Sequence, residues 1–302
     1  MRSPAQNSPT LRHRFEAALT ELAAALFKRL GPDRASALGG WIGRTVGPRL
    51  TPISSRAHRN LSAALPELSE AEVRRITREV WDNLGRTAAE YSHLEAFRLS
   101  HPEGRVTASG LEHLRGAIAS GRPAIFVSGH FANWEVMSTV LFEEGLSYCL
   151  VYRRANNPLV DAAVQRWRSG LMSDQLAPKG KEGAKVILAA LKAGQSLAML
   201  VDQKMNDGIA APFFGREAMT APAAARLSLR FGAPIIPMAV TRDGGARFHV
   251  TISPPLAFQP TGDQSADILA LTTRINAFLE AQIRANPGQW LWLHNRWPKG
   301  AR

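Results

Sequence analysis

The chain has little cysteine and no long apolar run. Cys149 is its single cysteine, so no disulfide can form within the chain, which is typical of proteins in a reducing compartment. Cys149 lies in an apolar run without a charged neighbour, and we expect a buried thiol rather than a nucleophile. The most apolar stretch, residues 186–201, contains Lys192, Gly194 and Gln195, and therefore falls short of the roughly 18 apolar residues of a membrane span. Since a signal-peptide core is also missing, we expect a soluble or peripheral protein.

Acidic residues are scarce relative to basic ones. The formal net charge is +12, and residues 1–60 hold ten Lys and Arg against three Asp and Glu, a net +7. Such a balance indicates an anionic partner, which is a nucleic acid, an anionic membrane surface or an acidic carrier protein. The sequence has no nucleic-acid-binding motif, and its aromatic residues lie in apolar segments rather than between basic ones. We therefore expect no nucleic-acid partner.

Residues 10–100 have the pattern of a helical region. Over residues 10–30, leucines and a phenylalanine recur at helical spacing on one stripe, with basic residues at both ends. Such a stripe either lies in a membrane interface or packs on the rest of the protein, and the sequence leaves both open. Ser69 and Glu72 predict the capping box of a later helix. We assign residues 1–100 to a helical N-terminal region with an amphipathic membrane-docking helix.

From about residue 105, short apolar runs alternate with helical segments. This alternation predicts an α/β domain over residues 101–302, with a largely parallel sheet flanked by helices. The candidate strands are residues 124–128, 147–152, 197–201, 235–240 and 248–252. The candidate helices are residues 133–144, 158–169, 182–192, 221–231 and 267–285.

One strand end carries the residues with the clearest chemical potential. An apolar strand ends at Ser128, His130 follows in the turn, and Asn133 can cap the next helix, whose first turn contains Glu135. Ligands of open α/β folds bind at this edge of the sheet. A histidine with an orienting carboxylate is a general base. The His-x4-Glu spacing alone is common, and its structural alternative is a histidine that only terminates a strand.

The segment from Ser128 to Glu135 resembles the first motif of the lipid A biosynthesis late (lauroyl/myristoyl) acyltransferases. They belong to the glycerol-phosphate acyltransferase-like group marked by His-x4-Asp/Glu, whose mixed, largely parallel sheet we expect here. The resemblance covers about residues 55–298. Its other blocks are Arg59-Asn60-Leu61 with Pro66-Glu67-Leu68-Ser69, Val151-Tyr152-Arg153 with Asn156-Asn157-Pro158-Leu159, Val201-Asp202-Gln203, Pro212-Phe213-Phe214-Gly215-Arg216, Gly232–Pro237 and Trp290–Trp297.

The resemblance implies a reaction. His130, oriented by Glu135, would deprotonate a lipid hydroxyl, which attacks an acyl thioester carried by the phosphopantetheine of acyl carrier protein. No metal and no redox cofactor are implied. The acceptor would be a lipid A precursor, and the enzyme would lie peripherally on the cytoplasmic face of the inner membrane. Members of this family often carry an N-terminal hydrophobic span, whereas this chain has only the amphipathic stripe.

Further residues are candidates for substrate binding. Arg153, at a strand end, can bind an acceptor phosphate through its planar fork, or form a surface salt bridge. Asp202 and Gln203 either orient Arg153 or the acceptor, or only cap a strand. Arg168 lies on a predicted helix that can face the same site, and Asn133 is near the base. His294 is a secondary candidate.

Two other enzymatic functions stay open. The acceptor can be another lipid, such as a lysophospholipid or a glycolipid. His130 can alternatively activate water in a hydrolase. Against a serine hydrolase, the chain has no Gly-x-Ser-x-Gly elbow, and Ser128 is too close to His130 in sequence to be its partner.

Overall fold

A computed structural model describes residues 9–297, and the chain begins there with three helices. They are α1 (Leu11–Val46), α2 (Thr51–Ala64) and α3 (Glu70–Glu90). α1 is kinked at Gly31, which has a positive φ of 74° and is followed by Pro32. A positive φ is not helical, and proline lacks the N–H of a helical hydrogen bond, so the helix is interrupted there. The predicted capping box of α3 is confirmed, with Ser69 and Glu72 each bonding the other's backbone N–H.

The apolar stripe of α1 faces away from the protein. The exposed fraction of its side chains runs from 84% at Leu11 to 37% at Leu30. Beyond the kink, Trp41 is also exposed, at 53%. After the kink, α1 packs closely on α3, where a Cβ on Gly43 would lie 2.1 Å from the carbonyl oxygen of Trp81. The stripe itself is largely uncovered by the other described residues.

The helices between residues 9 and 297 include none that is long and apolar enough to cross a membrane. The predicted division of the chain at residue 100 stays a prediction, and residues 1–8 and 298–302 of the two predicted regions lie outside the described residues.

A seven-stranded sheet forms the centre of the fold, and a hairpin lies beside it. The strands are β1 (Val106–Ser109), β2 (Ile125–Ser128), β3 (Tyr148–Tyr152), β4 (Leu176–Pro178), β5 (Ser196–Leu200), the hairpin strands β6 (Lys204–Phe213) and β7 (Arg216–Thr220), then β8 (Ile235–Arg242) and β9 (Phe248–Ile252). The later helices are α4 (Leu111–Ala119), α5 (Glu135–Glu143), α6 (Pro158–Arg168), α7 (Lys181–Lys192), α8 (Ala223–Phe231) and α9 (Gln264–Ala285).

The strand order is β1-β9-β8-β2-β5-β3-β4, and every pair is parallel except β8–β9. The predicted mixed, largely parallel sheet is therefore confirmed, with the five predicted strands at β2, β3, β5, β8 and β9. β1, β4 and the hairpin were not predicted. β4 has only three residues, too few to show a period, and β1 (Val-Thr-Ala-Ser) is not an apolar run as β2 is.

β2 is the strand that positions the site. All four of its residues are buried, and it lies between β8 and β5. Because β2, β5 and β3 are parallel, the residues that follow them meet at one edge of the sheet. The chain leaves this edge at His130 after β2, at Asp202 after β5 and at Arg153 after β3.

Candidate active site

His130 and Asp202 meet because β2 and β5 are neighbours. Nδ1 of His130 lies 2.7 Å from Oδ1 of Asp202. Oδ2 of the same carboxylate accepts the backbone N–H of His130 at 2.8 Å and the indole N–H of Trp290 at 2.8 Å. Both oxygens of Asp202 are thus occupied, and the imidazole is fixed in position and orientation.

The ionisation of Asp202 determines the tautomer of His130. Burial alone would raise the pKa of Asp202, but the imidazole and the N–H groups of His130, together with Trp290, hold that pKa well below its usual range. An ionised carboxylate only accepts hydrogen bonds, so Nδ1 of His130 carries the proton. In the neutral form of the imidazole the lone pair therefore lies on Nε2, beside Gln203 and the cavity, and this is the form that a general base requires.

The turn after His130 is held in an uncommon conformation. Ala132 has a positive φ of 41°, which is sparsely populated for a residue with a Cβ. Its carbonyl accepts hydrogen bonds from Thr87 at 2.9 Å and Asn83 at 3.2 Å, and its N–H donates to the carbonyl of Gln289 at 2.8 Å. Contacts with α3 and the C-terminal segment therefore maintain the turn that presents His130.

The predicted contact between Glu135 and His130 is wrong. The carboxylate of Glu135 instead accepts three hydrogen bonds. The donors are Nε of Arg168 at 2.9 Å, Nη2 of Arg168 at 2.5 Å and the hydroxyl of Tyr91 at 2.5 Å. The physical reason is that Asp202 reaches Nδ1 of His130 from the adjacent strand, while a buried carboxylate needs a cation, which Arg168 supplies.

Glu135, Arg168 and Tyr91 form a buried polar cluster in the cavity wall. The side chains of Glu135 and Arg168 are 3% and 13% exposed. Burial would lower the pKa of Arg168, but Glu135 and Tyr91 raise it above its ordinary value. Burial, together with the charge of Glu135, raises the pKa of Tyr91. Arg168 therefore keeps its positive charge within the cavity. The sequence predicted that Arg168 faces the site but did not identify Glu135 as its partner.

Asn133 is fully buried and faces away from the predicted substrate. Its amide nitrogen donates to Glu90 at 3.0 Å, and its side-chain oxygen accepts the backbone N–H of Glu135 at 3.3 Å. The predicted capping of α5 by Asn133 is wrong, because α5 begins at Glu135 with Trp134 as its N-cap residue and without a side-chain cap. Asn133 contacts Glu90 instead of the predicted substrate. Glu90 is buried against Arg242 and needs further hydrogen-bond donors, and Asn133 supplies one.

Gln203 and His294 complete the surroundings of the base. Nε2 of Gln203 lies 3.2 Å from Nε2 of His130 and 3.0 Å from Nε2 of His294. Of the alternatives for Asp202, the structure does not show the one in which it orients Arg153, because its carboxylate bonds His130. Arg153 is exposed at the mouth of the cavity.

The cavity beside His130 has one apolar wall, the polar cluster of Glu135, Arg168 and Tyr91, and a basic mouth. It encloses about 220 Å³. Its apolar wall is formed by Phe126, Met137, Leu141, Leu150, Ala198 and Met238. At the mouth it adjoins a groove, which we call the basic groove, lined by Arg153, Arg154, Lys179, Lys181, Lys204 and the single acid Glu182.

Sequence reasoning missed Tyr91, Lys179 and Trp290 as site residues and ranked His294 second. Tyr91 follows α3 and Lys179 follows β4, and neither lies in a motif that signals chemistry. For Trp290 and His294, the signal in the sequence was the tryptophan-rich segment near the C-terminus. Its carbonyl groups are bound by Asn60, at 3.0 Å to Trp292 and 2.6 Å to His294.

Comparisons with known proteins identify the family of the chain. Residues 6–299 match the family described as bacterial lipid A biosynthesis acyltransferase. The chain is 27% identical over 265 residues to the lipid A biosynthesis palmitoleoyltransferase of Escherichia coli, covering 86% of this chain and 83% of that protein. It is 28% identical over 251 residues to the lipid A biosynthesis lauroyltransferase of the same organism, covering 79% and 77%.

The comparisons also found two proteins with other names. A phosphatidylinositol mannoside acyltransferase of Mycobacterium tuberculosis is 23% identical over 192 residues, which is 62% of this chain and 58% of that protein. The solved 1-acyl-sn-glycerophosphate acyltransferase of Thermotoga maritima matches at 12% identity and a TM-score of 0.35, over 82% of this chain and 96% of that one.

Because the family match extends over nearly the whole sequence, the chain belongs to the bacterial lipid A biosynthesis acyltransferases. It is therefore an acyltransferase, and its acceptor is a lipid.

Proposed function

We propose that this protein transfers a fatty acyl chain from acyl carrier protein to a hydroxyl of a lipid A precursor, with His130 as the general base. The observation that carries the proposal is the 2.7 Å contact between Nδ1 of His130 and Asp202 at the mouth of an apolar cavity. The contact leaves Nε2 of His130 as a directed base beside a space that suits an acyl chain.

The reaction follows from the acid–base state of this pair. The acceptor hydroxyl gives its proton to Nε2 of His130 as its oxygen attacks the thioester carbon. Asp202 then stabilises the imidazolium, because an ionised carboxylate lies against Nδ1–H. When the tetrahedral intermediate collapses, the C–S bond breaks, and the proton on Nε2 passes to the leaving thiolate of the phosphopantetheine. This step requires neither a metal nor a redox cofactor.

The cavity supports an assignment of the two substrates to different places. The space of about 220 Å³ has an apolar wall opposite the polar cluster of Glu135, Arg168 and Tyr91. A single hydrocarbon chain can lie along that wall, and the space is below the range of about 300–1,000 Å³ for sites that enclose a drug-sized ligand. We therefore propose that the acyl chain of the donor lies inside, whereas the far larger acceptor binds at the open mouth.

The basic groove supports an anionic ligand at this mouth. Glu182 lies 3.4 Å from Arg154, so the other four cations of the groove outnumber its acid. We propose that Arg153, which lines both the cavity and the groove, binds an acceptor phosphate through its guanidinium. The same positive field attracts the acidic acyl carrier protein.

The exposed apolar stripe of α1 supports docking on an anionic membrane. Its leucines are flanked by Arg12, Arg14, Lys28 and Arg29, which is the composition of an interfacial helix. α1 also lies close to the cavity, because Tyr91 lines both the cavity and a cleft beside α1. We propose that the protein is peripheral on the cytoplasmic face of the inner membrane, with its cavity mouth near the lipid.

A second candidate has a glycolipid or lysophospholipid as the acceptor with the same chemistry. The match to a phosphatidylinositol mannoside acyltransferase favours this alternative specifically for a glycolipid. The acid–base chemistry of His130 and Asp202 is the same for any lipid hydroxyl. The two candidates therefore differ only in the acceptor.

The test is transfer of a radiolabelled acyl chain from acyl carrier protein to a tetra-acylated lipid A precursor that bears inner-core sugars. A lysophospholipid and a mannosylated phosphatidylinositol are assayed in parallel. His130→Ala is the catalytic variant, and His249→Ala, on β9, is the matched control. We expect transfer to the lipid A precursor by the wild type and the control, and its loss in His130→Ala.

Each other outcome has one meaning. His130-dependent transfer to a different lipid alone supports the second candidate. Equal rates in wild type and His130→Ala, with a Tm that shows both to be folded, contradict the assignment of the base.

A further inference from the structure

The carboxamide of Gln203 lies between two imidazoles. Its nitrogen is 3.2 Å from Nε2 of His130 and 3.0 Å from Nε2 of His294. Gln203 is partly buried, and it lines both the cavity and the basic groove. One –NH2 group is therefore placed against the general base on one side and against a second histidine on the other.

The chemistry of the three side chains fixes the direction of these hydrogen bonds. Asp202 accepts the hydrogen bond from Nδ1–H of His130, so Nε2 of the neutral imidazole has only a lone pair. An amide oxygen facing it would bring two lone pairs together, and the amide nitrogen is the group that fits. Its second N–H points to His294, whose Nε2 must then also accept.

His294 is suited to accept because it is held neutral. Burial, and the nearby His130, lower the pKa of His294 to about 4. The carbonyl of His294 accepts a hydrogen bond from Asn60 at 2.6 Å, and Arg56 donates to the preceding carbonyl of Leu293 at 3.0 Å. α2 thus fixes the backbone that carries the His294 imidazole.

We infer that Gln203 is a catalytic residue whose amide N–H stabilises the oxyanion of the tetrahedral intermediate, and that His294 is the positioning residue that aims it. This inference rests on the proposed acyl transfer. The acceptor oxygen and the oxyanion are bonded to the same carbon. A donor next to the nitrogen that takes the acceptor's proton therefore lies next to the developing oxyanion.

The resting contact and the reactive contact use the same N–H. Before the substrates bind, one N–H of Gln203 points to Nε2 of His130 and the other to His294. When the acceptor hydroxyl donates to His130, that first N–H becomes available to the thioester oxygen. As the C–O bond forms, the carbonyl electron pair moves to this oxygen, and the N–H then bonds an anion. The bond to His294 persists, so little reorganisation is needed.

Two substitutions of Gln203 test the donor. Gln203→Met keeps the length of the side chain without a donor, and Gln203→Glu replaces the donor by an anion. We expect kcat to fall on the order of 10²–10³-fold in Gln203→Met, as for loss of one oxyanion donor, and further in Gln203→Glu. The KM for the acceptor should change less than about threefold, because the contact strengthens only in the transition state.

Two substitutions of His294 test the positioning. His294→Gln can still accept through its amide oxygen, whereas His294→Leu cannot. We expect kcat to fall by at least about tenfold in His294→Leu, to be largely restored in His294→Gln, and to be insensitive to either change when Gln203→Met is already present. A role of His294 in packing alone would predict equal losses in both variants and no dependence on Gln203.

The wild type and His249→Ala are measured in the same assay, and Tm confirms that each variant is folded. If wild type transfers no acyl chain to any of the three lipids, the proposed function fails. If wild type transfers and folded Gln203→Met retains its kcat, or loses only affinity for the acceptor, the oxyanion role of Gln203 is overturned while the proposed function stands.

Discussion

The carboxylate of Asp202 binds His130 twice, through the imidazole Nδ1 at 2.7 Å and through the backbone N–H at 2.8 Å. The first contact sets the tautomer of the base, and the second fixes the turn that carries it. Trp290 donates to the same carboxylate at 2.8 Å. The orientation of the base therefore depends on the neighbouring strand and on the C-terminal segment, rather than on Glu135 of the His-x4-Glu motif.

Replacing Asp202 with asparagine should remove most of the activity. An asparagine side chain carries no charge to stabilise the imidazolium, and its amide can hold the wrong tautomer of His130. We expect kcat to fall on the order of 10²–10⁴-fold, measured as acyl transfer at saturating donor and acceptor. A kcat within about threefold of wild type, in a folded Asp202→Asn variant, contradicts this role.

Glu135 and Arg168 should behave as one stabilising unit. Glu135→Gln leaves the Arg168 charge buried without its anion, and Arg168→Met leaves Glu135 buried without its cation. Each single change should lower the free energy of unfolding by about 3–5 kcal/mol. The double variant should lose much less than the sum of the two. Urea unfolding measures this coupling, and additive losses would show that the two residues act independently.

The half-buried His294 should make the protein less stable in mild acid. Its pKa is about 4 in the fold against about 6.5 in the unfolded chain, so the unfolded chain binds more protons between these values. Stability is therefore unaffected above about pH 6.5 and decreases as pH falls toward 4, by roughly 2–3 kcal/mol from this residue. The same pH series on His294→Gln should lack this component. Parallel curves for the two proteins would contradict it.

Ala198 should limit the length of the acyl chain. It pairs with Phe126 across β5 and β2, and both line the cavity. Ala198→Leu fills space that the end of the chain would otherwise occupy. Each displaced methylene costs about 0.8 kcal/mol, or about fourfold in kcat/KM. Donors of graded length should show a shift toward shorter chains, whereas a uniform loss across all lengths would indicate only damaged packing.

The exposed stripe of α1 should control binding to anionic vesicles. Leu19, Leu22 and Leu26 are 51%, 58% and 52% exposed. Replacing all three by serine should weaken co-sedimentation with phosphatidylglycerol vesicles on the order of 10²-fold, since each inserted leucine contributes about 1 kcal/mol or more. The Tm should hardly change. Added salt should weaken the wild type through its basic flanks, and unchanged binding of the serine variant would contradict docking by α1.

The sequence predicted those parts of the fold that depend on local pattern. The five predicted sheet strands, the capping box at Ser69 and the turn at His130 each follow from an apolar run, from periodicity or from one residue type at one position. The stripe of α1 was predicted too, whereas the direction it faces was not. That direction depends on what packs on the other side of α1, which the stripe itself does not encode.

The partner of His130 was not predictable from local pattern, because it depends on strand order. Asp202 lies 72 residues from His130 along the chain, and the two meet because β5 is placed beside β2. The same holds for His294, which is 91 residues from Gln203. Glu135 was the natural choice by sequence proximity, but a buried carboxylate pairs with the cation that the fold brings to it.

The most direct test of the account is NMR of the His130 ring in protein labelled with ¹⁵N in its histidine side chains. We predict a protonated Nδ1 with a strongly deshielded proton in the wild type and in Glu135→Gln, and its loss in Asp202→Asn. His130→Ala assigns the signal. A signal that survives in folded Asp202→Asn and disappears in Glu135→Gln would show that Glu135, and not Asp202, orients the base.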